Sequence, residues 1–295
     1  MKIKFILDSA ADMPEELTDK YDIDVFPLYI HHGDKQYKDG IGITSKEVYE
    51  NMKDGEVYKT SQVAVNDFME KFEEYAKKDK TVIYPAFSSE LSGTFQSAVL
   101  AKNKIKEKYP DFDITIIDTK SASMGVGLAL YNVLQEMEKN NLNKKEIIEK
   151  IKYYAEHMEH IFTVEDLDYL VRGGRLNKIS GLVGGILNIK PIIEVENGKL
   201  EQLEKKKGSK KVRKRIIELF LEKGTNIAEQ NLAILHANSK KKAEEFKSEI
   251  EEKTKYKSVI FSDIGAVIGA HTGPGTYGII FLNEKRKVNE VEIYK

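Results

Sequence analysis

Thr81-Val82-Ile83-Tyr84-Pro85-Ala86-Phe87-Ser88-Ser89-Glu90-Leu91-Ser92-Gly93-Thr94-Phe95-Gln96-Ser97-Ala98 is the stretch around which the chain is organised. The apolar run up to Phe87 reads as a buried strand, and a helical pattern continues beyond it through Val99, Lys102 and Ile105. A strand that turns through small hydroxylated residues and Gly into a helix leaves first-turn N–H groups without intrahelical partners. With the positive end of the helix dipole, those groups form a site for an anionic oxygen. The serines, Thr94 and Gly93 add hydroxyl donors and permit close backbone approach. The plainer reading is that Ser92 only caps the helix.

The same strand-then-helix rhythm extends on both sides. Ile3–Asp8 is an apolar strand that ends in Asp8-Ser9; Asp12 is expected to cap a helix opened by Pro14. Asp24–Ile30 reads as a second strand, and Thr44-Ser45-Lys46-Glu47 as a capping box. Residues 55–62 form a loop carrying Thr60 and Ser61, before a helix with Val65, Phe68, Met69, Phe72 and Ala76 on one face. Asp113–Asp118 is another strand, followed by a Gly-containing helix from about Met124 and a helix opened by Asn143-Lys144-Lys145-Glu146. Alternating strands and helices predict parallel βαβ units, whose ligands sit at the carboxyl ends of the strands.

From Ile161 the texture changes. A strand at 161–164 leads to Leu170-Val171-Arg172-Gly173-Gly174-Arg175, then to an apolar, Gly-rich segment from Ile179 to Pro191 that is expected to be buried. Asn197-Gly198 is the strongest hairpin signal in the chain. Ser209 is expected to cap the next helix, and strands near 231–235, 257–261 and 279–282 follow. The expected fold is α/β in two domains. The first, 1–159, is a parallel-sheet α/β/α unit carrying the anion cradle. The second, 160–295, is an α+β unit with a mixed sheet, and the ligand lies between them.

Composition narrows the function. The 295 residues hold 47 basic and 48 acidic side chains, so no global charge draws the protein to nucleic acid or membrane. There are no cysteines, which excludes disulfides, thiolate metal sites and cysteine nucleophiles. Lys2 and Lys4 interrupt any N-terminal signal pattern, and the apolar run 182–189 is too short to span a bilayer. A cytoplasmic protein is expected. Neither a Gly-x-x-x-x-Gly-Lys-Ser/Thr loop nor a Gly-x-Gly-x-x-Gly turn is present, so no nucleotide-binding loop is recognised and no cofactor is expected. His31, His32, His157 and His160 read as surface or loop residues rather than metal ligands, the last two on a charged helix. His271, between an apolar Gly-rich run and Gly273-Pro274-Gly275, reads either as a satisfied core residue or as a binding group. Ser92 with His271 and Asp8 or Asp118 would make a hydrolase triad, but Ser92 lacks the Gly-x-Ser-x-Gly elbow. Lys205–Arg215, basic throughout, reads as a solvated face or as a docking surface for an acidic partner.

Asp8-Ser9-Ala10-Ala11-Asp12, Thr60-Ser61-Gln62, Leu91-Ser92-Gly93-Thr94, Asp118-Thr119-Lys120, Leu170–Arg175, Asn188-Ile189-Lys190-Pro191 and His271-Thr272-Gly273-Pro274-Gly275 fall in order over nearly the whole chain. Together they resemble the signatures of the DegV family. The resemblance implies two α/β domains with a long-chain fatty acid buried between them, and a role as the fatty-acid-binding subunit of bacterial fatty acid kinase. An ATP-binding partner would then make the acyl phosphate, with no catalysis by this chain alone. It further implies that Thr60 and Ser92 bond the carboxylate beside Ser61, Gly93 N–H and Thr94, with His271 completing the network. Arg172, Arg175 and Lys207 would meet the partner or the transferring phosphate. Two positions depart from the family pattern: Val63 stands where Pro commonly follows Thr-Ser-Gln, and Lys207-Gly208 where Arg-Thr is frequent. The alternatives are a serine hydrolase of lipid esters using Ser92 and His271, and a regulatory module that binds a small anionic metabolite.

Overall fold

The computed structural model describes residues 3–176, 189–285 and 291–295. In chain order, β1 (Ile3–Asp8), α1 (Glu15–Lys20) and β2 (Asp24–Phe26) precede β3 (Tyr29–His32), β4 (Lys35–Lys38), α2 (Ser45–Lys53) and β5 (Lys59–Ser61). Next come α3 (Val65–Lys77), β6 (Thr81–Ala86), α4 (Thr94–Lys108), β7 (Ile114–Asp118), α5 (Met124–Met137) and α6 (Lys144–Glu156). β8 (Met158–Thr163), α7 (Asp168–Arg172), β9 (Ile189–Glu196), β10 (Lys199–Lys207) and α8 (Ser209–Lys223) follow. The chain ends with β11 (Asn231–His236), α9 (Lys240–Glu251), β12 (Ser258–Asp263), α10 (Ala266–Thr272), β13 (Tyr277–Leu282) and β14 (Glu292–Tyr294).

β6 and β7 are buried along their whole length, as strands covered on both faces must be. They form the middle of a five-stranded sheet ordered β14-β7-β6-β1-β2, in which only β14 runs antiparallel to its neighbour. The chain leaves β1 toward β2 on one side and later fills β6 and β7 on the other. The loops after β1 and β6 therefore diverge at a switch point, where open α/β sheets bind ligands. A second, mixed sheet of six strands runs β10-β9-β8-β13-β11-β12, its core built from Val212, Ile216, Phe220, Phe246 and Phe281. β4-β3-β5 form a small antiparallel sheet. Between the two large sheets lies α5, buried from Met124 through Leu130 and touching strands of both. Helix and sheets thus share one core.

Several expectations change. The strand expected over Asp24–Ile30 breaks at Pro27, which has no N–H to give a ladder, and its two pieces join different sheets. The expected loop 55–62 contains β5, an edge strand of the small sheet. Asp12 does not cap α1: its φ of 48° turns the chain, and Pro14 stands at the cap without a side-chain bond. Gly208 rather than Ser209 precedes α8. The strand expected from Ile161 begins at Met158, so His160 is a strand residue, 4% exposed, instead of lying on a charged helix. The capping boxes at Thr44 and Asn143 form as read. Of the Gly-rich segment expected to be buried, residues 177–188 lie outside the described residues. At the chain's end β14 returns to pair with β7, so these residues join the first sheet although they follow the expected boundary at 159/160.

The Asn197-Gly198 hairpin forms as expected, with both residues at positive φ (49° and 83°). Its tip does more than reverse the chain. Ser88 Oγ donates to Gly198 O at 2.8 Å, and a Cβ on Gly198 would come within 2.5 Å of that hydroxyl oxygen. Gly198→Ala is therefore expected to cost about 1–3 kcal/mol through strain and crowding, read as a lower urea midpoint at unchanged slope.

Candidate functional site

The loop after β6 is held by two buried carboxylates from neighbouring strand ends. Asp8 accepts from Tyr84 Oη (2.6 Å), Phe87 N (3.0 Å) and Ala10 N (3.2 Å), and burial raises its pKa to about 6 despite these donors. Asp118 accepts from Ser89 N at 3.1 Å and pairs with Lys120 at 2.9 Å. The backbone between them carries Leu91 and Ser92 into α4. Ser92 Oγ accepts from Thr94 N at 3.2 Å and lies 2.9 Å from Thr94 Oγ1, so it caps the helix from one residue ahead of Gly93, the N-cap. Thr94 is fully buried and also accepts from Val63 N at 3.3 Å.

A cavity opens beside this loop, between the two large sheets. Its space totals about 850 Å³ including the mouth. Leu28, Phe87 and Leu91 line it from the first half, and Leu170, Val195 and Ile280 from the second. The polar groups gather where Thr60, Ser92, Arg175 and His271 meet the wall. Alternation along β5 turns Thr60 inward while Lys59 and Ser61 are exposed. Thr60 Oγ1 and His271 Nε2 are hydrogen-bonded at 2.6 Å. His271 Nδ1 is buried and has no hydrogen-bond partner among the described residues.

The Leu170–Arg175 motif completes this end. Gly173 follows the last residue of α7 and Gly174 reverses the chain at φ 70°. A Cβ on Gly173 would lie 2.1 Å from His271 Nδ1, so only glycine leaves room for the ring there. Arg175 folds back and donates from Nη1 to Gly173 O (2.7 Å) and from Nε to Leu91 O (3.2 Å). Among the described residues it has no carboxylate partner, and burial alone lowers its pKa. It stays charged.

The expected site residues therefore divide. Thr60, Ser61, Ser92, Arg175 and His271 border the cavity, although the Ser61 hydroxyl pairs with His31 at 2.8 Å. Gly93 and Thr94 stand behind it; Arg172 is exposed with its guanidinium over the Tyr169 ring, and Lys207 is exposed at the end of β10. Within the basic run, Arg213 and Arg215 are neutralised by glutamates. His160 was not expected in the wall, yet it borders the cavity and meets Ser121 Oγ at 2.9 Å. Reading the strand from Met158 would have turned it inward. The hydrolase arrangement does not form: Ser92 bonds Thr94, His271 bonds Thr60, and Asp8 and Asp118 hold backbone. Among the described residues no carboxylate bonds His271, so none orients it as a base. Among the described residues no cluster suits a metal ion, and no helix is long and apolar enough to cross a membrane.

The family model described as "Uncharacterised protein, DegV family" matches residues 2–284. A DegV domain-containing protein of Clostridium perfringens is 37% identical over 289 residues, covering 96% of this chain and 99% of the relative. A fatty acid-binding protein of Thermotoga maritima is 34% identical over 297 residues, covering 97% and 100%. Among solved structures, a stearic acid-binding protein from Eubacterium ventriosum superposes with a TM-score of 0.88 at 27% identity, covering 96% of this chain and 99% of its own. The chain belongs to the DegV family.

Burial, and then the Arg175 charge, lower the His271 pKa from 6.5 to about 4. The unfolded chain thus takes up this proton first as the pH falls, so the contribution to stability is present above pH 6.5 and is lost as pH drops toward 4. NMR of labelled, ligand-free protein is expected to show His271 neutral from pH 5.5 upward with a midpoint near 4; a midpoint at the free-histidine value would contradict the buried geometry.

Proposed function

We propose that this DegV-family chain binds one long-chain fatty acid non-covalently, with its carboxylate among Thr60, Ser92, Arg175 and His271 and its tail along the apolar cavity. The observation that carries the reading is the grouping of an imidazole, a guanidinium with no carboxylate partner among the described residues, and hydroxyl groups on a wall that is largely apolar. Such a site matches an amphiphile with an anionic head. Burying about sixteen carbons at about 0.8 kcal/mol per CH₂ gives a gross gain of roughly 13 kcal/mol, enough for retention after ordering costs. The names of the Thermotoga and Eubacterium proteins support the same ligand class.

In this reading residues 1–159 carry the carboxylate cradle, and 160–295, apart from the returning β14, close the cavity and bring Arg175 and His271 to the head group. Ser61, Gly93 and Thr94 frame the head group rather than touching it first. The chain acts in the cytoplasm as a carrier without catalysis of its own. It presents the carboxylate to an ATP-dependent kinase subunit that forms the acyl phosphate, and Arg172 and Lys207, each exposed, are offered as contacts for that partner.

Hydrogen bonds to a charged group contribute about 1.5–3 kcal/mol each. A Thr60→Ala/Ser92→Ala double variant is expected to bind palmitate at least about a hundredfold more weakly than wild type, measured on delipidated protein. Equal affinity would remove the carboxylate from this end of the cavity.

A further inference from the structure

The Asp8–Asp12 motif is more than the carboxyl end of β1. Asp8 holds the cradle loop, as described, and the remaining members reach α10, the helix whose last turn carries His271. Asp12 Oδ1 accepts from Gly265 N at 2.8 Å, immediately before α10, and Asp12 Oδ2 accepts from Ser123 Oγ, a cavity residue. Ser262 Oγ donates to Asp12 O at 2.7 Å. Asp39, 8% exposed, packs beside the start of α10, its Oδ2 3.8 Å from where a Cβ on Gly265 would stand. Tyr49 Oη donates to Ile264 O at 2.7 Å. Asp12 therefore satisfies the N–H ahead of α10 and Asp39 packs beside it, burial raising the pKa of both carboxyl groups. At the other end of the same short helix, His271 meets Thr60.

We infer that Asp12 and Asp39 are positioning residues for the polar end of the cavity, fixing from outside it the helix that brings His271 against Thr60. Neither borders the cavity, so neither touches a ligand there. α10 also packs along α2, with Gly269 against the Tyr49 ring, and its first turn is tied to the first half through Asp12. The inference takes its ligand from the function proposed above but stands on a geometry that exists without one.

The test has a ligand-free arm and a ligand arm. In ligand-free protein, Asp39→Ala and the milder Asp39→Asn and Asp12→Asn are expected to raise the His271 NMR midpoint by about half a pH unit or more, as the ring gains water. Phe246→Leu, in the core of the second sheet, serves as a destabilised control and is expected to leave it unchanged. A midpoint unmoved in both Asn variants, or moved equally by the control, overturns the inference. In the ligand arm, preference for palmitate over hexadecanol is expected to fall about tenfold in Asp39→Asn while hexadecanol affinity holds; equal weakening of both ligands also overturns it. Failure of wild type to bind palmitate would instead count against the proposed function, with the His271 titration still deciding the role of Asp12 and Asp39.

Discussion

The structure depends on how buried carboxylates at the ends of parallel strands are satisfied. An isolated ionised carboxylate away from water is costly, and backbone N–H groups are its nearest remedy. Asp8 draws in Phe87 N and Asp118 draws in Ser89 N, which fixes the turn between β6 and α4 from within the first sheet. The second half then closes on that fixed turn. Gly198 O takes the Ser88 hydroxyl, Leu91 O takes Arg175 Nε, and the cavity is the space left between the sheets. Ligand geometry in this account follows from satisfying backbone and carboxylates, rather than from residues devoted to a ligand.

The two halves are not independent bodies joined at a site. α5 is buried between the sheets, with Asn132 Oδ1 accepting from Asn231 Nδ2 at 2.7 Å across them. β14 returns to the first sheet. An apolar wall built this way suits a hydrocarbon chain because close-packed neighbours from both sides supply the contacts. The polar end is set apart by a small number of groups on different elements: Thr60 on β5, Ser92 before α4, Arg175 after α7 and His271 in α10.

Much of this was legible in the sequence, for physical reasons that can be named. Strand-to-helix residues with hydroxyls and Gly announced the turn from β6 into α4, and Asn197-Gly198 announced its hairpin, because both signals are local. His271 beside Gly273 was legible as a pocket residue, whereas its bond to Thr60 was not, since it joins residues 211 positions apart. Asp12 looked like a helix cap because Asp before Pro and two glutamates fits that pattern; its actual partners, Ser123 and Gly265, come from tertiary packing. His160 was assigned to the helix before it because the charged pattern of α6 gave no stop signal before Met158. Pro27 marked a break that the apolar run around it concealed.

Mass spectrometry of the purified protein, native and then denatured, tests the central claim most directly. A bound mass in the fatty-acid range is expected, departing on denaturation and returning when delipidated protein meets palmitate. A protein that carries no lipid and takes up none, or an acyl mass that stays attached to Ser92 after denaturation, would contradict it.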